Sequence, residues 1–208
     1  MSIFDKPIQD SKPQELIPEG KYPAILYSVI DMGTHKDTYE GVERLKHEIQ
    51  LTWELVDSKM SDDRPFVVSK TYTLTNGKFG PYFAKTSNIF KMLRAWTGKD
   101  EKTCSNVRIL GELVREQFPA TITIEQVQGK KDATKTYSII ESIKPHKGKE
   151  KVRATNPPYF FSVGDDASAL PTWQEARVKE CLELNGGVPK LEDTPKPTNL
   201  DAEDCIPF

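Results

Sequence analysis

Twelve consecutive residues, Arg44 to Leu55, alternate in character. Leu45, His47, Ile49, Leu51, Trp53 and Leu55 take every second place, and Arg44, Lys46, Glu48, Gln50, Thr52 and Glu54 fill the places between. A period of two sets the two series on opposite faces of a β-strand. Five of the first six are apolar, so one face is expected to be buried and the other wet. His47 falls on the apolar face, where a satisfied core histidine is expected rather than a ligand.

Neighbouring segments read as partners for this strand. Lys21 to Ile30, rich in Tyr, Ile, Leu and Val, reads as a first strand ended by Asp31-Met32-Gly33. Pro65 to Leu74 reads as a third, with Val, Thr, Phe and Tyr enriched. Asn76-Gly77 and Gly80-Pro81 break the chain. Ile89, Phe90, Leu93 and Trp96 then follow helical spacing, with a cap at Thr86 or Ser87 and a stop at Gly98. A second helical stretch runs from about Asn106 to Gln117. Pro119 to Gln128 and Thr134 to Lys144 read as strands four and five around a basic Gly129-Lys130-Lys131-Asp132 hairpin loop.

Three strands, a helix and two strands is the element order of a five-stranded OB-type barrel, with its helix between strands three and four. The expected fold is therefore mainly β, with that barrel over residues 20–153. Residues 1–19, with three prolines, read as a flexible arm. Residues 154–187 read as an aromatic linker, Asn156 to Phe161, and an amphipathic helix. That helix begins at the capping-box pattern Thr172-Trp173-Gln174-Glu175 and stops at Gly186-Gly187. Residues 188–208 read as a disordered acidic tail.

The net charge of −2 conceals a segregation. Residues 1–63 carry 7 Lys/Arg against 13 Asp/Glu, residues 64–153 carry 18 against 8, and residues 154–208 carry 4 against 10. A basic middle between acidic ends suits a polyanion-binding surface. No apolar run approaches the roughly 20 residues that span a bilayer, and the first residues lack a signal-peptide layout. Cys104, Cys181 and Cys205 are odd in number and far apart, which argues against a disulfide framework. The expected location is the cytoplasm.

Catalytic chemistry finds no motif. There is no phosphate-binding glycine loop and no G-x-S-x-G elbow. His35, His47 and His146 do not pair with the cysteines at metal-ligand spacing. Asp62-Asp63 and Asp165-Asp166 read as solvated turn residues. Neither a catalytic residue nor a metal or cofactor is expected.

Single-stranded nucleic acid needs cations for phosphates and flat rings for bases. Lys70 and Tyr72 share a strand face. Lys78, Phe79, Tyr82, Phe83 and Lys85 interleave rings with amines, as do Lys130, Lys131, Lys135 and Tyr137 around the last hairpin. In OB-folds the ligand lies on strands two and three and the first and fourth loops, so these eleven residues are the candidate DNA contacts. For Tyr82, Phe83 and Tyr137 core packing is the alternative.

The chain ends Asp201-Ala202-Glu203-Asp204-Cys205-Ile206-Pro207-Phe208. Ile206, Pro207 and Phe208 can enter an apolar pocket while Asp201, Glu203 and Asp204 steer the approach. This ending resembles the tip of bacterial single-stranded DNA-binding proteins. The resemblance implies an OB-fold, a flexible linker and recruitment of replication and repair enzymes. Cys205 stands where that family usually has an acid. Gly20-Lys21-Tyr22, Leu93-Arg94-Ala95-Trp96 and the chain's size look more like bacteriophage-encoded single-stranded DNA-binding proteins of replication and recombination.

The expectation is a non-enzymatic protein that coats single strands and recruits host or phage enzymes through its tip, which can also compete with DNA for the barrel. The alternatives are a barrel that binds protein as an adaptor, and a nuclease or nuclease inhibitor. Monomer and dimer are both open.

Overall fold

The computed structural model describes residues 15–77, 80–130, 132–148 and 151–187. The fold is mainly β. Strands β1 (Gly20–Tyr39), β2 (Val42–Lys59), β3 (Pro65–Gly77), β4 (Gly80–Tyr82), β5 (Pro119–Gln128) and β6 (Thr136–Pro145) form one antiparallel sheet in the order β4-β3-β2-β1-β5-β6. Helices α1 (Asn88–Thr97), α2 (Glu101–Cys104) and α3 (Arg108–Arg115) lie between β4 and β5 in the chain. A short strand, β7 (Tyr159–Phe161), pairs with β1 in parallel, and helix α4 (Thr172–Lys179) follows it.

The alternating series of β2 points Ile49, Leu51, Trp53 and Leu55 into the main core, each at most 4% exposed. α1 brings Ile89, Phe90, Leu93 and Trp96 against them, and α3 brings Ile109, Leu110, Leu113 and Val114. Trp96 meets Trp53 edge-on at 6.3 Å between ring centroids, and its indole N–H donates to Pro119 O at 3.0 Å. Each large apolar side chain buried in this way stabilises the fold by about 1.5–3 kcal/mol. Ser87 caps α1 by accepting from Phe90 N, and Gly98 closes it in the left-handed conformation at φ 66°, as the sequence suggests.

β1 and β2 run longer than the sequence suggests. Asp31-Met32-Gly33 bends the first strand instead of ending it. The register slips between Asp31 and Gly33, Gly33 takes φ +80°, and the ladder resumes with Gly33 opposite Glu48 and Thr34 opposite His47. A residue without Cβ makes such a bulge inexpensive.

The polar series of β2 corrects the expectation of a wet face. Gln50, Thr52 and Glu54 are 2%, 6% and 1% exposed. What covers this face is the segment after β6, which crosses the sheet as a strap. The Glu54 carboxylate accepts from Thr155 N at 2.7 Å, Asn156 N at 2.8 Å and Asn156 Nδ2 at 2.6 Å. Gln174 donates to Gln50, and Arg177 reaches Glu48 at 2.9 Å. A second apolar cluster of Ile30, Met32, Phe161, Leu170 and Val178 lies in the same layer. The aromatic linker has therefore become a strand. α4 ends at Lys179, with Pro171 at its N-cap position and no side-chain capping bond. The capping box read from Thr172 is not formed, because Thr172 already lies inside the helix.

β1 organises this arrangement along its edge opposite β2. Residues Gly20 to Ile25 pair with β5, Ser28 to Ile30 pair with β7, and Thr34 O accepts from Leu182 N at 2.8 Å. Gly33 permits the last contact, since a Cβ there would lie 2.6 Å from Cys181 Cβ. His47 is satisfied at this junction, as expected. Its ring nitrogens lie 3.0 Å from Asp31 Oδ1 and 2.9 Å from Thr34 Oγ1, and Glu183 closes the group through bonds from Thr34.

Residues 15–19 of the N-terminal arm form no helix or strand, yet they are docked. Ile17 is 2% exposed, and its N–H donates to Ser138 Oγ on β6. Glu15 accepts from Ser61 in the turn between β2 and β3. Residues 1–14, 78–79, 131, 149–150 and 188–208, including most of the arm and all of the acidic tail, lie outside the described residues. Among the described residues no helix is long and apolar enough to cross a membrane.

Candidate nucleic-acid interface

The eleven candidate contacts separate into several environments. Lys70 and Tyr72 share a face of β3, but it is the inner face. Tyr72 stands opposite Ile49 and is 6% exposed, within the main core. Lys70 lies opposite Leu51, and its ammonium donates to Ile140 O on β6 at 3.2 Å while lying 5.9 Å from the Tyr72 ring centroid. Its amine thus links the two sides of the sheet. Phe83 is likewise core, at 1% exposed. A base cannot stack on Tyr72 or Phe83 without opening the packing that buries them, so both are corrected from candidate contacts to core residues.

Tyr82 is different. It ends β4 opposite Thr75 and is 43% exposed. Lys85 follows three residues later and pairs with Glu101 at 2.5 Å, an exposed pair shared with Arg94. These cations hold the Glu101 carboxyl below its usual range, with Lys85 the larger influence. Solvent and salt screen exposed pairs of this kind, so a phosphate can compete for Lys85.

Lys130, Lys135 and Tyr137 are brought together on the β5–β6 hairpin. Gly129 N donates to Lys135 O at 2.8 Å, and Lys135 N donates to Asp132 O at 3.1 Å. Asp132 accepts from the Thr134 hydroxyl and N–H, which hold its carboxyl low, and it pairs loosely with Lys135 at 3.7 Å. Tyr137 is half-buried, and its ring lies against Gly129, where a Cβ would come within 2.8 Å. Lys78, Phe79, Lys131 and the tip residues Asp201, Glu203, Asp204, Ile206, Pro207 and Phe208 lie outside the described residues.

Sequence reasoning passed over one pairing. Arg115, at the end of α3, sets its guanidinium 5.6 Å from the centroid of the Phe160 ring on β7. That ring is 43% exposed. A ring in the linker and an arginine 45 residues earlier carry no shared pattern; only the pairing of β7 with β1 brings them together.

Among the described residues, no group of three or more His, Cys, Asp or Glu side chains could hold a metal ion. Cys104 and Cys181 are both free and buried. No protein-family model matches the chain, and no curated protein matches it.

Proposed function

We propose that this chain binds single-stranded DNA through an OB-type barrel and serves DNA replication or recombination. The observation that carries the reading is the strand order. With β4 set aside, β3-β2-β1-β5-β6 with helices between β3 and β5 is the order of an OB barrel laid open between its third and fifth strands. Lys70 bridges those two strands in place of a ladder, and the docked residues 15–19 link the fifth to the turn before the third. The basic β5–β6 hairpin then corresponds to the fourth loop of the barrel, one of the loops that hold ligand in this fold. In this reading Lys130 and Lys135 contact phosphates, and Tyr137 and Tyr82 offer rings. The acidic segment with Ile206, Pro207 and Phe208 recruits partner proteins of replication or repair. The protein acts by binding, without a catalytic step.

Titration of a single-stranded and a duplex oligonucleotide at two salt concentrations tests the reading. Tighter binding of the single strand is expected, with affinity falling as salt rises because each phosphate contact releases counterions. Equal affinity for duplex, or insensitivity to salt, overturns it.

A further inference from the structure

The run that leaves the end of β6 for β7 carries three described cations, Lys147, Lys151 and Arg153, just after Lys144 in β6 itself. It leaves β6 beside β5, where Lys144 stands opposite Thr121 and His146 Nδ1 lies 3.2 Å from the Thr121 hydroxyl. It arrives at Glu54 on β2 through Thr155 and Asn156. The obvious duty for these cations would be to hold the strap against Glu48 and Glu54. They do not perform it. Glu54 is satisfied by two backbone N–H groups and an amide, and Glu48 by Arg177 of α4.

Most other cations near carboxylates are engaged: Arg44 and Lys46 with Asp37, Arg64 with Asp62, Lys85 and Arg94 with Glu101, Lys99 with Glu112. Lys144, Lys147, Lys151 and Arg153 form no ion pair among the described residues. Nor does Arg115, whose contact is the exposed Phe160 ring. Three of these five cations precede that ring on the strap itself, and Lys144 stands at the end of the strand it leaves.

We infer that this strip, Lys144, Lys147, Lys151, Arg153 and the stacked pair Arg115–Phe160, is a second contact track for single-stranded DNA. It rests on the reading above and extends it to a surface at the opposite end of the β5–β6 hairpin from the basic loop. The hairpin strands are 10 residues each, which separates the two ends by roughly 30 Å. The cations take phosphates, and Phe160 takes a base on the part of its ring that the guanidinium leaves open.

The test uses the full chain and an oligo-dT probe. Lys144, Lys147, Lys151 and Arg153 are changed together to Gln, and separately Phe160→Leu and Arg115→Gln are made. Each variant is first matched to the parent by melting temperature. The fourfold variant should bind on the order of a hundredfold more weakly at 0.1 M salt. Its plot of log affinity against log salt should be shallower by roughly 2–3, since each phosphate contact on a single strand contributes about 0.7. Phe160→Leu should weaken binding about tenfold with the slope unchanged, because a stacked base releases no counterions. If Phe160→Leu melts early, Arg115→Gln, which leaves the apolar packing in place, carries the test and should flatten the slope by roughly 0.7. A parent that binds dT, with the fourfold variant showing the parent's affinity and slope, overturns the track and leaves the hairpin reading standing. A parent that does not bind dT overturns both.

Discussion

Changing Glu54 to Gln should release the strap while leaving the sheet beneath it folded. Glu54 is 1% exposed, and its two oxygens accept three N–H groups, from Thr155 at 2.7 Å and twice from Asn156 at 2.8 and 2.6 Å. Glutamine keeps one acceptor oxygen. If that oxygen faces Asn156, the new NH2 group points at the Thr155 N–H, donor against donor. One hydrogen bond to a charged group is lost, worth about 1.5–3 kcal/mol, and the donors left unsatisfied in a buried site cost about 1–3 kcal/mol more. The lower ends of these ranges already give about 2.5 kcal/mol, which shifts the docking equilibrium by at least about two decades, at about 1.4 kcal/mol per tenfold. Amide hydrogen exchange reads this locally. Thr155, Asn156 and the β7 amides should exchange about a hundredfold faster, while amides between β2 and β3 change far less. Exchange at Thr155 and Asn156 within twofold of the parent would refute the view that Glu54 anchors the strap.

Three further outcomes are expected. Tyr72→Ala should destabilise the fold by about 3–5 kcal/mol, as for other buried aromatic truncations. Tyr82→Ala should leave the melting temperature unchanged and weaken single-strand binding by about 1–3 kcal/mol if its ring stacks on a base; binding equal to the parent's removes Tyr82 from the interface. The strap should also loosen in acid. Burial alone would push the Glu183 carboxyl up, but the hydroxyl and N–H of Thr34 hold it below its usual range. A depressed carboxyl contributes stability above its unfolded pKa of about 4.3 and loses it as pH falls through the lower folded value. The drop in melting temperature on acidification through that window should be smaller in Glu183→Gln, and equal drops would show that Glu183 contributes nothing.

The local elements were legible because their causes are local. The alternation in β2, the Ser87 and Gly98 caps of α1 and the bounds of β5 depend on neighbours a few residues away. The burial of Gln50 and Glu54 was not legible, because polar residues at every second place also describe a solvated face. What distinguishes the two cases is a covering layer 101 or more residues away in the chain that supplies matching donors. Tyr72 misled for a related reason. Its spacing from Lys70 gave the shared face correctly, but which face turned inward depended on the pairing with Leu51 and Ile49. The hairpin loop was readable from Gly129 and its lysines. The Arg115–Phe160 pair needed the β7 register.

The three-part edge of β1 also sets an order of events during synthesis. Every strand of the antiparallel sheet has been made once Pro145 is joined to the chain, yet Leu182, the last residue to bond to that edge, comes 37 residues later. At about 5–20 residues per second, that is roughly 2–7 s of translation. Until β7 has been made, the first strand of that sheet has no partner for the N–H and C=O groups from Ser28 to Thr34, and from then until Leu182 it still lacks one beyond Ile30. Such an edge readily accepts a strand from a neighbouring chain. On a crowded polysome, the end of the strap thus acts as a seal on a newly made sheet, and a ribosome stalled between Pro145 and Leu182 would display that edge unsealed.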